Sequence, residues 1–261
     1  MPNPKSSEPA TPADHALAAS VAWDAGELLV RLRARLTAEG VDTTTLKDEG
    51  DRQAHDLIME LLAARLAAGD AVLSEEGRDD PVRLDAERVW IVDPLDGTRE
   101  FGEPPRTDWA VHVALVVNGR PVAGAVALPA LEMVLGTEPA AVLPPAHDGR
   151  PRVIVSRSRP PAAATWLAER LDGVLIELGS AGAKAMAVVR GEADIYAHSG
   201  GQYEWDSCAP VAVAAAAGLH TSRLDGSPLV YNNRDPYLPD LLICRAELAA
   251  PALAALAAFE D

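Results

Sequence analysis

Asp93-Pro-Leu-Asp-Gly-Thr98 carries the densest chemistry in the chain, and it follows directly on the apolar run Arg88–Val92. An extended run that ends in Asp and turns through Pro sets Asp93 and Asp96 at a sheet edge, where their carboxylates can share a hard cation. Gly97 lets backbone approach an anion closely, and the amides of Gly97 and Thr98 can hold a phosphate oxygen if a helical turn begins there. Alone, such a segment is most often an ordinary Asp/Gly turn. Its company changes the reading. Leu73-Ser-Glu-Glu76 puts Glu75 at the end of another short apolar run, and Glu204-Trp-Asp206 opens an Ala-rich stretch. There Asp206 suits a helix N-cap or first turn, and a bulky Trp205 beside it would hold it rigidly, as a metal ligand requires. Asp51 closes the acidic run Lys47-Asp-Glu-Gly-Asp51 at the expected start of a helix. The 6 histidines show no zinc-protease spacing, and neither cysteine lies in a C-x-x-C or phosphatase-loop motif.

The elements that must position these groups are legible in outline. Apolar residues Leu17, Val21, Leu28, Leu29, Leu32 and Leu36 recur at helical spacing, which predicts a long helix over Asp14–Leu36 with Asp14 as N-cap. A second helix is expected over Gly50–Ala67, with Leu57, Ile58, Leu61, Leu62 and Leu66 on its buried face. Ala71–Leu73 and Arg88–Val92 read as strands, and two further strands over Trp109–Leu128 flank the hairpin signal Asn118-Gly119. The first half is thus expected to be helices with antiparallel strands.

The Pro- and His-containing stretch Leu143–Pro151 suits a link between two units. Beyond it, strands at Arg152–Val155, Val174–Leu178 and Asp194–Ala197 alternate with helices at Ala162–Leu171 and Ala181–Arg190. Further helices are expected at Asp206–Ala217 and Ala246–Phe259. The expected organisation is an N-terminal tail over 1–13, an α+β unit over 14–148 and an α/β unit over 149–261.

Composition narrows the function classes. The 261 residues carry 39 acidic and 23 basic side chains, a formal charge of −16, with only 3 Lys. That excludes a general nucleic-acid binder, which needs a basic face to displace phosphate counterions. No apolar run reaches the roughly 20 residues that span a bilayer, and no basic patch followed by an apolar run opens the chain. A cytoplasmic protein with no membrane partner is the expectation, and Cys208 and Cys244 are too few for a disulfide framework.

Ser74-Glu-Glu76, Trp90-Ile-Val-Asp-Pro-Leu-Asp-Gly-Thr-Arg-Glu-Phe101 and Trp205-Asp206 together resemble the signature series of the inositol monophosphatase superfamily of Mg2+-dependent, Li+-sensitive phosphatases. The extension Arg99-Glu-Phe101 is similar to the CysQ branch, the 3′(2′),5′-bisphosphate nucleotidases. Gly179–Gly191, Gly201–Asp206 and Leu224–Asn232 resemble its actinobacterial form. The resemblance covers about Thr44 to Arg245 and implies a layered αβαβα sandwich with the site between two units. It implies that Glu75, Asp93, the Leu95 carbonyl, Asp96 and Asp206 bind two or three Mg2+. Thr98 and an acid on the second helix, taken here as Asp51, would orient the attacking water.

The substrate implied is a small phosphorylated nucleotide, adenosine 3′,5′-bisphosphate or its sulfated form, in sulfur assimilation. Inositol phosphates and fructose 1,6-bisphosphate are the alternative, and a homodimer is compatible. Gly97, Thr98 and Asp206 would also face substrate. Ser180, Lys184 and Arg190 are candidates for the non-reacting phosphate, and Ser156 for the ribose or adenine end. Tyr203 and Arg99 are neighbours without an assigned role.

Overall fold

A computed structural model describes residues 10–259 as five layers, helix, sheet, helix, sheet, helix, which is the α/β sandwich the family resemblance implied. The outer helices α1 (Pro12–Glu39) and α2 (Thr43–Ala63) cover one face of a sheet ordered β1-β2-β3-β4-β5. Its strands are β1 (Ala71–Ser74), β2 (Arg88–Asp96), β3 (Ala110–Val117), β4 (Arg120–Leu128) and β5 (Met133–Gly136). After the one-turn α3 (Thr98–Phe101), the second half supplies β6 (Arg152–Ser156), α4 (Ala162–Arg170), β7 (Val174–Leu178), α5 (Ala181–Val189), β8 (Ile195–Tyr203), α6 (Glu204–Ala216), β9 (His220–Ser222), β10 (Tyr237–Cys244) and α7 (Ala246–Leu256). Its sheet is ordered β7-β6-β8-β10-β9.

The runs Val89–Val92 and Val153–Val155 are unbroken and apolar because both faces of the sheet are covered there. In β2, Trp90 and Val92 pack toward α1 and α2, while Val89 and Ile91 join the middle layer. In β6, Ile154 faces that same layer, while Val153 and Val155 pack against α4 and α7. The middle layer, α5 and α6, is built largely from Ala, Gly and Val. Small side chains let the helices sit close to both sheets: a methyl on Gly124 of β4 would lie 3.2 Å from Cβ of Ala212. The two halves therefore share one core. Cys208 lies in that shared core and Cys244 in the outer one, both buried and free.

Several expected boundaries move. The first helix is capped by Thr11, whose hydroxyl accepts from the Asp14 amide while Asp14 accepts from the Thr11 amide, so Asp14 is the third residue of a capping box. Of the tail expected over 1–13, residues 1–9 lie outside the described residues and 12–13 are already helical. Helix α2 begins at Thr43, capped by Asp42, and not at Gly50. The first sheet is not purely antiparallel, because β1 pairs with β2 in parallel. The Asn118-Gly119 hairpin forms as expected, with both residues at positive φ, 50° and 75°. Among the described residues no helix is long and apolar enough to cross a membrane.

Candidate active site

Parallel pairing of β1 and β2 starts the site. Ser74 lies opposite Val92, and the Glu75 amide donates to the Val92 carbonyl at 3.3 Å, so Glu75, just past the end of β1, comes out beside Asp93 of β2. Past Asp93 the ladder to β3 loses register until Asp96, where Pro94 has no amide to give it. That irregularity brings Asp93 and Asp96 together. The Leu95 amide donates to Oδ1 of Asp93 at 3.0 Å and fixes its rotamer. Gly97 then turns the chain into α3 at φ 88°, and a methyl there would lie 2.9 Å from Cβ of Ser180.

Asp51 enters from α2, about two turns inside the helix. The expectation that it marks a helix start was therefore wrong about position. What aims it is Gly50: a methyl there would lie 2.7 Å from Cε1 of Phe101 and 2.9 Å from Cδ2 of Leu95, so only glycine lets α2 press onto that turn. Asp51 Oδ1 consequently lies 3.2 Å from the Thr98 hydroxyl, which is also 3.1 Å from the Leu95 carbonyl.

From the second half, α6 brings Asp206 as its third residue, its Oδ2 accepting from the Tyr203 amide at 2.7 Å. One carboxylate oxygen each of Asp93, Asp96 and Asp206 then lies within 4.8 Å of the others. Glu75 stands beside this trio, against Asp93.

Charges this close cannot all ionise freely without a cation. Burial, then the charges of Glu75, Asp96 and Asp206, pushes Asp93 well above the usual carboxylate range. Burial and the Asp96 charge lift Asp206 to about 7. Burial lifts Glu75 to about 7, helped by Glu76, Asp96 and Asp51, and burial with Glu76 does the same for Asp51. Asp93 Oδ2 is buried without a hydrogen-bond partner. An orphaned carboxylate oxygen among hard oxygens fits a site made for a divalent cation.

Asp96 behaves oppositely. Burial alone would raise it, but His112, Ser180 and Lys184 outweigh burial and hold it near 2. Its oxygens accept from the Ser180 hydroxyl at 2.5 Å and from the amides of Ala181 and Gly182 at 3.0 and 2.5 Å, so the start of α5 is spent on this carboxylate.

A model of the inositol monophosphatase family matches residues 12–140 and 151–258. This chain belongs to the inositol monophosphatase family. Within it, the chain is 53% identical over 243 residues to the 3′-phosphoadenosine 5′-phosphate phosphatase of Mycobacterium bovis, covering 90% of each. It is 36% identical over 202 residues to the 3′(2′),5′-bisphosphate nucleotidase CysQ of Shigella flexneri, covering 72% of this chain and 80% of that protein. The crystal structure of CysQ from Bacteroides thetaiotaomicron matches with a TM-score of 0.77 at 28% identity, covering 89% of this chain and 97% of that one.

For this family member, some residues expected to meet a second phosphate have other partners. Ser180 is bonded to Asp96. Lys184 is buried, its ammonium donating to the carbonyls of Gly179 and Ser180, and burial lowers it to about 8. Arg190 caps the far end of α5, about 15 Å from Ser180 at 1.5 Å per residue, and pairs with Glu192 at 2.6 Å. The start of α5 thus positions Asp96, with its hydroxyl and amides given to that carboxylate. Parallel pairing of β6 with β7 sets Ser156 beside Leu178, just before Gly179.

Two residues went unremarked in the sequence. Asp108 accepts from Arg106, Arg157 and the Gly179 amide, which anchors the strand-to-helix turn before α5. His112, fully buried on β3, lies opposite Asp93 with Nε2 3.2 Å from Asp96 Oδ2 and Nδ1 3.0 Å from the Trp205 carbonyl. A lone His inside the apolar run Trp109–Val117 was the available signal, because a buried imidazole needs polar partners.

Proposed function

We propose that the chain hydrolyses the 3′-phosphate ester of adenosine 3′,5′-bisphosphate, giving AMP and phosphate, with Mg2+ held by the carboxylate cluster. One observation carries the reading: Asp93, Asp96 and Asp206 converge from both halves of the chain beside the Thr98–Asp51 pair. The likeness to the Mycobacterium bovis phosphatase supports the choice of substrate. The sulfated relative of that nucleotide has the same ester and belongs to the same proposal, as does a place in sulfur assimilation.

Asp93, Asp96, Asp206, Glu75 and the Leu95 carbonyl would hold about two or three ions, an all-oxygen set suited to Mg2+. Bound Mg2+ would acidify water and neutralise charge on the transferring phosphoryl group. The chain's own part is proton handling and orientation. Thr98 has one hydroxyl proton, and giving it to Asp51 releases the Leu95 carbonyl to serve as a ligand. The same donation leaves the Thr98 oxygen free to accept from water and so to aim it at phosphorus. Asp51, lifted to about 7, can take a proton through Thr98 at neutral pH. Tyr203 and Trp205 stack at 4.9 Å beside Asp206, and Tyr203 is exposed, which supports a flat heteroaromatic base as the rest of the substrate.

Phosphate release should be measured side by side on adenosine 3′,5′-bisphosphate, inositol 1-phosphate and fructose 1,6-bisphosphate with Mg2+. The nucleotide should give the highest kcat/KM. A higher value on the inositol ester would overturn the assignment.

A further inference from the structure

We propose that His112 is a positioning residue that sets the spacing between Asp96 and Asp206, and through it the affinity of the site for divalent cations. The inference rests on reading those carboxylates as metal ligands.

His112 touches every element that brings a carboxylate of the trio. From β3 it sits opposite Asp93 on β2, its Nδ1 3.9 Å from Asp93 Oδ2. Its Nε2 lies 3.2 Å from Asp96 Oδ2, and its Nδ1 lies 3.0 Å from the carbonyl of Trp205, the residue that precedes Asp206 on α6. The ring thus spans from the first sheet to the middle helix layer. The one side chain therefore reaches both Asp96 and the backbone carbonyl just before Asp206.

The space for the ring is equally specific. Gly182 of α5 faces Nε2, and a methyl at that position would collide with the imidazole. Asp96 Oδ2 already accepts from Ser180 and Gly182, and the His112 ring edge closes on the same oxygen at 3.2 Å, so its inner side is crowded. Oδ1 has only the Ala181 amide and keeps lone-pair capacity toward the cluster. A carboxylate gripped from behind in this way presents one oxygen in a fixed direction. Groups that orient a metal ligand commonly change affinity by about 10- to 100-fold when removed.

The test uses the full chain and Mg2+ alone. Binding is followed by calorimetry and by the shift in thermal midpoint without substrate, and separately by the Mg2+ concentration that gives half-maximal turnover. His112→Ala should raise the Mg2+ dissociation constant about 10- to 100-fold, with KM for the nucleotide at saturating Mg2+ within about threefold of wild type. His112→Asn, which keeps a polar side chain in the buried slot, should fold and show a smaller rise. Val111→Ala, a truncation on the neighbouring β3 position that faces α1 and α2, should lower the thermal midpoint without moving Mg2+ affinity.

A wild-type chain that responds to Mg2+ while both His112 variants bind it within about twofold of wild type would overturn the role of His112 alone. An equal loss in Val111→Ala would do the same. A wild-type chain with no response to Mg2+ would overturn the metal reading together with this role.

Discussion

At the scale of residues, the site is a balance of like charges with one deliberate exception. Asp96 is held ionised by His112 and the start of α5, whereas Asp93, Glu75, Asp51 and Asp206 are all pushed upward. Asp93 tests this balance best, because Oδ1 is occupied by one amide and Oδ2 by nothing. Asp93→Asn removes one charge from the cluster and leaves the backbone contact. At pH 8 without Mg2+ its thermal midpoint should equal or exceed that of wild type. Its turnover should fall by more than about a hundredfold, beyond what outer contacts alone contribute. A variant that is both active and destabilised would contradict the assignment. Asp96→Asn would be a poorer probe, since it also breaks the contacts to Ser180, Gly182 and His112. For the base, Tyr203→Ala should raise KM for the bisphosphate nucleotide several-fold while leaving KM for a non-aromatic phosphomonoester nearly unchanged, as loss of about 1 kcal/mol of stacking implies. Equal effects on both substrates would remove the proposed stacking.

At the scale of elements, positions follow from where helices and strands can approach one another. Helix α2 delivers Asp51 only because Gly50 allows it against Leu95 and Phe101. Gly50→Ala should cost about 1 to 3 kcal/mol through overpacking, and should lower kcat more than KM because the Asp51–Thr98 contact lengthens. Chemical denaturation and steady-state kinetics on the same variant check both halves of that statement. The start of the second sheet depends on Asp194, which accepts from the side chain and amide of Arg152 and from His147. Burial would raise its pKa, but those donors outweigh it and hold it near 2. A folded-state pKa below the ordinary 3.8 adds stability above that value and loses it as pH falls toward 2. Asp194→Asn should therefore lower the thermal midpoint at pH 7, and its deficit should shrink from pH 4 downward. A deficit that stays constant with pH would show that packing, not charge, is what Asp194 contributes.

At the scale of the molecule, α5 and α6 bind the two sheets into a single core, and the carboxylate trio draws on both halves. A cation held there, as proposed, would tie β2 to α6 and would belong to the folded state alone. Mg2+ at about a hundredfold above its dissociation constant should stabilise the chain by about 2.7 kcal/mol, seen as one upward-shifted melting transition that a chelator reverses. Two separate transitions, only one of them Mg2+-sensitive, would mean that the halves unfold independently. The formal charge of −16 also takes on a local meaning. Five of its acids, Asp51, Glu75, Asp93, Asp96 and Asp206, would repel a phosphate until cations offset them, so nucleotide binding should depend on metal.

The amino-acid sequence determined by itself the carboxylate series and the order of helices and strands in outline, while the layered class came from the family resemblance those motifs carry. Short-range chemistry writes those features: a strand ending in Asp-Pro-Leu-Asp-Gly, an Asn-Gly hairpin, an acid on the first turn of an Ala-rich helix. Tertiary structure alone decided which groups meet. Parallel pairing of β1 with β2 placed Glu75 beside Asp93, a register that no local pattern encodes. Packing of Gly50 against Leu95 and Phe101 aimed Asp51, though the helix starts seven residues earlier than the acidic run suggested. The amides at the start of α5 are given to Asp96, a partner at least 85 residues away that no local pattern announces. His112 looked like one polar residue in a buried strand, and its meaning depends on Asp93, Asp96 and Trp205, which only the fold brings to its two nitrogens.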